Sequence, residues 1–555
     1  MRMKVSWSVF ILLILAALGV RIYGADARGL WFDESLSWKL QSFPVSLLIE
    51  RAGEPTMPHP PLYFLTLHFW SHIFGDSEIA MRGLSIFAGI ATLPVLFFFM
   101  QDLHLLTWQK QTEKTEQYKF AGFIAVSLVA FSILHIHAAQ QVRGYTLAVF
   151  LLACSNIFFI RLLSLTKSTW SNCAFYAISA TALCYTHNLG LFSVAAQWGF
   201  AILFLWLPAL IKRLYHHFNF KRQNQNIGSL VDDGQSTQTC INSNEEKTVL
   251  NKIRLKFVTV AVLFVLLYGP WFLNVQKQST KLKNSWSRPF SAQKFANEMF
   301  ASIFQTSAQR PLKETIFPWF VAVSLIFLWI ILATRFGWPG VYLSFMGAIP
   351  VILMCIYSIY SKRSIFDARY LIFAQLSWLA GIAWLTSRIP RRLERILIGF
   401  VVVSWFIQSC FLNWDMIGKN NKPGMRAAIH YILQNKKPNE LIIAETPFIF
   451  FLAQYYARNQ TPVFLANERK DRFLVNGESQ LLNSDMITPE EVALKKPTGI
   501  WLISSDSYMT FSKNKFPADC VDSEIMILST KDPLSFKQDL YWESPVELYH
   551  YISTK

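Results

Sequence analysis

Charge is what this sequence has least of. Asp, Glu, Lys and Arg make up 16% of its 555 residues, against about 25% in soluble globular proteins. That deficit excludes one large soluble core, which would in any case stop growing near roughly 250–300 residues. Cysteine is scarce as well. The seven cysteines, at 154, 173, 184, 240, 355, 410 and 520, lie mostly inside apolar runs, with no CxxC and no paired spacing. This pattern excludes a disulfide framework and a cysteine metal centre, and leaves them as small apolar residues. The net charge of +17 comes with no nucleic-acid-binding module, so nucleic acid is not an expected partner. Basic cytoplasmic loops account for the same excess in a membrane protein.

Apolar length is what the chain does have. Hydrophobic residues reach 53%, aromatic residues 15%, and mean hydropathy is +0.30. A helix crosses a bilayer core with about 20 apolar residues. Runs free of Asp, Glu, Lys and Arg lie near 5–20, 83–101, 120–142, 144–160, 168–211, 257–276, 315–334, 336–361, 371–387 and 396–414. The run at 168–211 has room for two spans around a turn-like break at Tyr185–Gly190. The expectation is a polytopic α-helical protein of the plasma or inner membrane, with about eleven spans in residues 1–414. ILLILAALGV runs into Arg21 with no small-residue cleavage site and reads as a retained anchor.

Orientation follows from Lys and Arg in short loops. With the N-terminus (Arg2, Lys4) cytoplasmic, the inner loops hold Lys110, Lys114 and Lys119, then Arg161 and Lys167, then Arg335, then Arg388, Arg391, Arg392 and Arg395. They also hold the basic, Asn/Gln/Ser-rich segment 212–256, which reads as disordered. One loop runs against the trend: 277–314 falls outside yet carries Lys277, Lys281, Lys283, Arg288, Lys294, Arg310 and Lys313. An odd number of spans leaves residues 415–555 extracytoplasmic. MRAAIHYILQN and FIFFLAQYYA read there as helices, ELIIA and GIWLISS as strands, so a small α/β domain is expected.

The first outer loop, 22–81, is neither a span nor an ordinary connection. SLSWKLQSFPVSLLI and PLYFLTLHFWSHIF are too short or too polar to cross and suit helices lying in the membrane interface. Asp33 and Glu34 sit just past the first span, where a base could meet a lipid-borne phosphate and a water-borne acceptor together. The bland alternative is that Asp33 caps a helix starting at Glu34–Ser35.

WFDESLSW followed by HPPLYFLTLHFWSHIFGDSEIAMRGLSIFAG resembles the opening of membrane glycosyltransferases of the class C fold, among them protein O-mannosyltransferase and lipid A aminoarabinose transferase relatives. The matching positions are Trp31, Asp33, Glu34, His59, Pro60, Pro61, Leu62, Tyr63, Gly75, Glu78, Arg82, Ser85 and Gly89. QQVRGYTL (Arg143, Tyr145), YTHNLGLF (His187), DARYLIFA (Arg369, Tyr370) and KPGMRAAIHYILQNKKPNELIIA resemble one bacterial branch. The second outer loop, SILHIHAAQQVRGY, departs from better-known relatives by carrying no acidic residue.

The resemblance implies inverting transfer of a sugar from a polyprenyl-phosphate donor to an extracytoplasmic acceptor that is a lipid, glycan or protein. The residues can be tested against that chemistry. An inverting displacement needs one base for the acceptor hydroxyl, and Asp33 or Glu34 supplies a carboxylate. Adjacent helical residues point about 100° apart, so only one can face the reaction squarely. The resemblance favours Asp33 as the base, with Glu34 as its orienting neighbour or an acceptor ligand. A lipid phosphate leaves readily and needs cations more than a general acid. Arg143 and Arg369 at span ends have the fork geometry for phosphate, although an arginine there also serves as a snorkelling anchor. Tyr145, Tyr370, His59 and His187 join them as substrate-binding candidates through the resemblance. The two histidines of HIH (His135, His137) point about 200° apart on a helix and cannot share an ion, so no metal cofactor is expected. The rival readings are a transporter or flippase of a lipid-linked sugar and a non-catalytic assembly protein. A transporter should show internal repeats and charges at mid-membrane, whereas here nearly every charge lies at a span end.

Overall fold

Apolar helices dominate the computed structural model, which describes residues 7–54, 57, 59–107, 115–223, 236–281, 290–304, 316–361, 364–388, 400, 403–412, 414, 424–466, 480–505, 526–529 and 546–552. After α1 (Trp7–Ile22), three helices fill the first outer loop: α2 (Phe32–Gln41), α3 (Val45–Ala52) and α4 (Leu62–Phe74). Then come α5 (Glu78–Asp102), α6 (Thr115–Ala130), α7 (Ile133–Ala139), α8 (Tyr145–Leu163), α9 (Trp170–Thr186) and α10 (Gly190–Gln223). The bundle continues with α11 (Ser236–Lys281), α12 (Ala292–Phe304), α13 (Phe317–Arg335), α14 (Gly337–Tyr360), α15 (Ile372–Thr386) and α16 (Val403–Leu412).

The chain is a multi-pass membrane protein. Among the described residues seven helices are long and apolar enough to cross a bilayer, and the pair α6–α7, bent by 60°, makes up to eight. Each charge-free run of the sequence falls on a helix, but α1, α9 and α16 miss that length or hydropathy among the described residues. Within the segment 212–256 helix runs to Gln223 and resumes at Ser236; 224–235 lies outside the described residues. Lys283, Arg288, Arg310 and Lys313 of the basic outer loop, and Arg391, Arg392 and Arg395, lie outside them too.

A bend inside a membrane frees backbone carbonyls that must find donors. Arg21, buried on α1, supplies them, donating to Ala130 O at 2.8 Å and Val129 O at 3.4 Å. Beyond the bend, Gln140 Nε2 donates to Arg21 O at 3.2 Å and Tyr23 O at 3.0 Å. The bent pair therefore steers segment 140–144 towards the first outer loop. Deeper in the bundle a closed polar network ties α8, α9, α10 and α14. Tyr176 Oη donates to Gln197 Oε1 (3.0 Å), Gln197 Nε2 to Asn156 Oδ1 (2.8 Å), and Tyr342 Oη to the same Asn156 oxygen (2.7 Å).

The remaining chain folds as α/β. Helices α17 (Gly424–Asn435), α18 (Pro447–Ala457) and α19 (Pro489–Lys495) accompany β1 (Glu440–Ala444), β2 (Val463–Ala466), β3 (Met486–Ile487), β4 (Gly499–Ser505), β5 (Met526–Ser529) and β6 (Val546–Ile552). The sheet order is β3-β2-β1-β4-β6-β5; β3, β2, β1 and β4 are parallel, and β6 lies antiparallel to both β4 and β5. On one face Ile429, Ile432 and Phe450 of α17 and α18 pack with Ile442, Ala444 and Ile503, joined by Leu36 of α2. On the other, Val492 of α19 packs with Ile443, Ile487 and Ile500. The two helices and two strands expected from the sequence all form.

One expectation about the outer loop changes. Every residue of α2 from Glu34 to Gln41 is buried by protein, so α2 is not an interfacial helix. Its Trp38 Nε1 donates to Asp76 Oδ2 at 2.9 Å, and Lys39 pairs with Asp485 of the α/β unit at 3.0 Å. The reason is α18, which α2 packs against with the Phe32 ring tilted against Phe448 at 4.3 Å between centroids. By contrast α4 leaves Phe69, Ile73 and Phe74 exposed, as an interfacial helix should.

Candidate active site

The acidic pair divides into two unlike carboxylates. Helix α2 starts at Phe32, not at Glu34–Ser35, and Asp33 does not cap it. Glu34 does so from the third position, accepting from Trp31 N at 3.2 Å. It has no exposed surface. Arg82 of α5 grips both its oxygens, Nε to Oε1 at 3.0 Å and Nη2 to Oε2 at 2.8 Å, and Val142 N donates to Oε1 at 2.9 Å. Burial alone would raise the Glu34 carboxyl; the Arg82 and Arg28 charges with the Arg82 and Val142 hydrogen bonds outweigh it and hold it below the usual carboxylate range. With its lone pairs so engaged, Glu34 holds the loop to α5 and to segment 140–144.

Asp33 points the other way, with 24% of its side chain exposed. Two guanidiniums flank Oδ2: Arg143 Nη2 at 3.6 Å and Arg369 Nη1 at 3.9 Å. Arg143 also donates to the Asp33 carbonyl at 3.3 Å and to His59 Nε2 at 2.5 Å. That last bond requires a neutral imidazole. Burial, then the charge of Arg143, pushes His59 well below its usual range. His187, at the C-terminal end of α9, is pushed down to about 3 by burial and then by Arg143 and Arg369.

Aromatic rings complete the ensemble. His187 lies 5.9 Å from His59, 5.6 Å from Tyr145 and 5.7 Å from Tyr370, between ring centroids. Arg369 sits 5.1 Å above the Tyr370 ring. Its segment is shaped by Asp367, which accepts from Arg369 N at 3.1 Å and starts the turn Ala368–Leu371. Two small clefts meet at Tyr145. Trp31, His137, Gln141 and Arg369 line one; His59, Tyr63, Arg143, Thr186 and His187 line the other. Buried polar atoms without a partner lie in this region, among them Tyr145 Oη and His187 Nε2.

Thus Asp33, His59, Arg143, Tyr145, His187, Arg369 and Tyr370, spread over more than three hundred residues, converge on one region, while Glu34 lies behind it. Sequence reasoning gave no role to Arg82, although its signal was legible: an arginine opening an otherwise apolar helix needs a partner. Nor did it give a role to Trp31, which the resemblance had matched, or to Gln141. Among the described residues no group of three or more His, Cys, Asp or Glu is arranged to hold a metal ion.

No family model and no curated protein matches the sequence. Solved structures do match. ArnT from Cupriavidus metallidurans bound to undecaprenyl phosphate aligns over 99% of this chain and 98% of its own, with TM-score 0.56 at 11% identity. The apo state of the same protein gives 0.55 at 12% identity over the same shares. The Saccharomyces cerevisiae protein O-mannosyltransferase Pmt1–Pmt2 complex bound to the sugar donor aligns with 54% of this chain and 37% of its own, at TM-score 0.32 and 14% identity. The chain has the class C glycosyltransferase fold along its length.

Proposed function

We propose that the protein transfers a sugar, with inversion, from a polyprenyl-phosphate donor to a hydroxyl or phosphate of an extracytoplasmic lipid, glycan or protein. The observation that carries this reading is Asp33, partly open to solvent and flanked by Arg143 and Arg369. Undecaprenyl phosphate bound to a structure of the same fold supports the lipid part. With a hydroxyl acceptor, Asp33 takes the hydroxyl proton as the acceptor oxygen bonds the anomeric carbon from the face opposite the phosphate. The bond from that carbon to the phosphate oxygen breaks with its electron pair left on the phosphate, where the arginines stabilise the charge. His59, His187, Tyr145 and Tyr370 hold the sugar and phosphate oxygens.

The test is incubation of purified protein with a short-chain polyprenyl-phosphate-sugar. Release of polyprenyl phosphate is expected; none with any donor sugar and acceptor fraction would reject the reading. In the same assay Arg143→Ala and Arg369→Ala should each weaken donor binding at least about tenfold, with Lys recovering part of the loss because it keeps the charge but not the fork. Unchanged donor affinity in both Ala variants would make them membrane anchors only.

The topology is part of the proposal. Seven long spans, the bent pair, and α1, α9 and α16 together give eleven crossings. The N-terminus is then cytoplasmic and the α/β unit outside. Arg161 and Lys167, paired with Asp102 at 2.6 and 2.9 Å, fall at the cytoplasmic end, as basic residues should. A phosphatase reporter fused after Trp414 should be active and one fused within 225–240 silent; the reverse pattern would overturn the orientation.

A further inference from the structure

We propose that Tyr456, on the α/β unit, is a positioning residue that sets the place of Asp33 by fastening segment 25–31. The proposal rests on the transferase reading for its effect on turnover. The Tyr456 hydroxyl accepts from Leu30 N at 2.8 Å and donates to Glu78 Oε1 at the start of α5. Arg426 of the same unit pairs with Glu78 and reaches the carbonyls of Asp26 and Arg28 at 3.4 Å each. From the opposite side Arg82 donates to Ala25 O at 2.6 Å and to Arg28 O and Gly29 O at 3.1 Å each. The segment is thus clamped between the membrane helices and the α/β unit, and it runs directly into Trp31, Phe32 and Asp33.

Gly29 records how close the clamp is. A Cβ added there would lie 2.7 Å from the Tyr456 oxygen, so a side chain at 29 and the hydroxyl at 456 compete for one space. Phe32, adjacent to Asp33, packs tilted against Phe448 with ring centroids 4.3 Å apart and lies 6.4 Å from Phe451, both on α18 with Tyr456. The carboxylate therefore takes its position from a helix more than four hundred residues away. Filling space does not explain the hydroxyl, because the Tyr456 ring packs on apolar neighbours that a phenylalanine would also meet.

The test uses full-length Tyr456→Phe in detergent or nanodiscs. A reacting group misplaced by about an ångström can cost up to roughly a hundredfold in rate, and for a small shift of the Asp33 carboxylate a drop in kcat of about tenfold is expected. Donor KM should stay within about twofold, and the melting temperature should barely move, since one hydrogen bond contributes little net stability. Amide exchange at Leu30 should speed up at least about tenfold, as expected when a local closure is lost. Gly29→Ala should also lower kcat, and adding Tyr456→Phe to it should cost less than the two losses multiplied, because the pair share one space. Wild-type kcat with unchanged exchange across 25–34 would overturn the proposal, and so would a kcat loss matched by general destabilisation. Exchange is read without catalysis: a wild type inactive on every donor would reject the transferase reading, and faster exchange would still uphold the clamp.

Discussion

Asp33→Asn is expected to lower turnover at least about a hundredfold, the usual range for losing a general base, while expression and donor binding stay near normal. The substitution keeps the shape of the side chain and the Asp33 carbonyl that accepts from Arg143. It leaves the start of α2 intact, because Glu34 rather than Asp33 holds the Trp31 amide. Removing one negative charge between Arg143 and Arg369 leaves both guanidiniums freer to meet an anionic phosphate, so donor affinity should hold or rise. A hundredfold fall in kcat with equal or tighter donor binding is thus the signature of a base. Full activity in Asp33→Asn would remove this carboxylate from the chemistry. Full activity there together with a specific kcat loss in a folded Glu34→Gln protein would exchange the two roles.

The extent of the helices was legible in the sequence because bilayer crossing demands long charge-free runs, and those runs mark α5, α8, α10, α11, α13, α14 and α15 directly. The bend at residues 131–132 was not, since it depends on Arg21 arriving from another helix to take the freed carbonyls. Nor was the burial of α2: its polar face reads as interfacial until α18, four hundred residues on, covers it. In the α/β unit ELIIA and GIWLISS announced themselves as apolar runs, whereas the four-residue strands β2 and β5 are too short to carry a period. The candidate site shows the same division. Periodicity could flag Arg143 and Arg369 only as charges at span ends. It could not bring them within 4 Å of one aspartate, because that meeting needs the bend before segment 140–144 and the turn after Asp367 at once. The resemblance named these residues in advance and put Asp33 ahead of Glu34 as the base, but it gave no physical environment to tell the two carboxylates apart. Burial separates them.

The Glu34–Arg82 pair should carry the largest stability effect in the molecule. Both side chains are fully buried, and removing one partner of such a pair leaves the other charged and unmatched at a cost of about 3–5 kcal/mol. Arg82→Leu is the more damaging choice, because Arg82 also serves the carbonyls of Ala25, Arg28 and Gly29. Arg82→Lys should rescue little: one ammonium cannot span both Glu34 oxygens and three carbonyls. Glu34→Gln should destabilise nearly as strongly, and combining it with Arg82→Leu should cost clearly less than the sum of the two. The pH dependence separates this pair from general packing. Because the folded carboxyl lies below its ordinary value, the unfolded chain binds the proton more readily, so stability rises with pH across that interval. The contribution is complete above the unfolded value, near 4.3, and is lost as pH falls through the folded one. Melts of the wild-type protein between about pH 6 and 3 should show this acid-side loss, and Glu34→Gln should show a smaller slope in the same window. Equal slopes, or an Arg82→Leu protein as stable as wild type, would mean that the loop bearing Asp33 is held by something other than this pair.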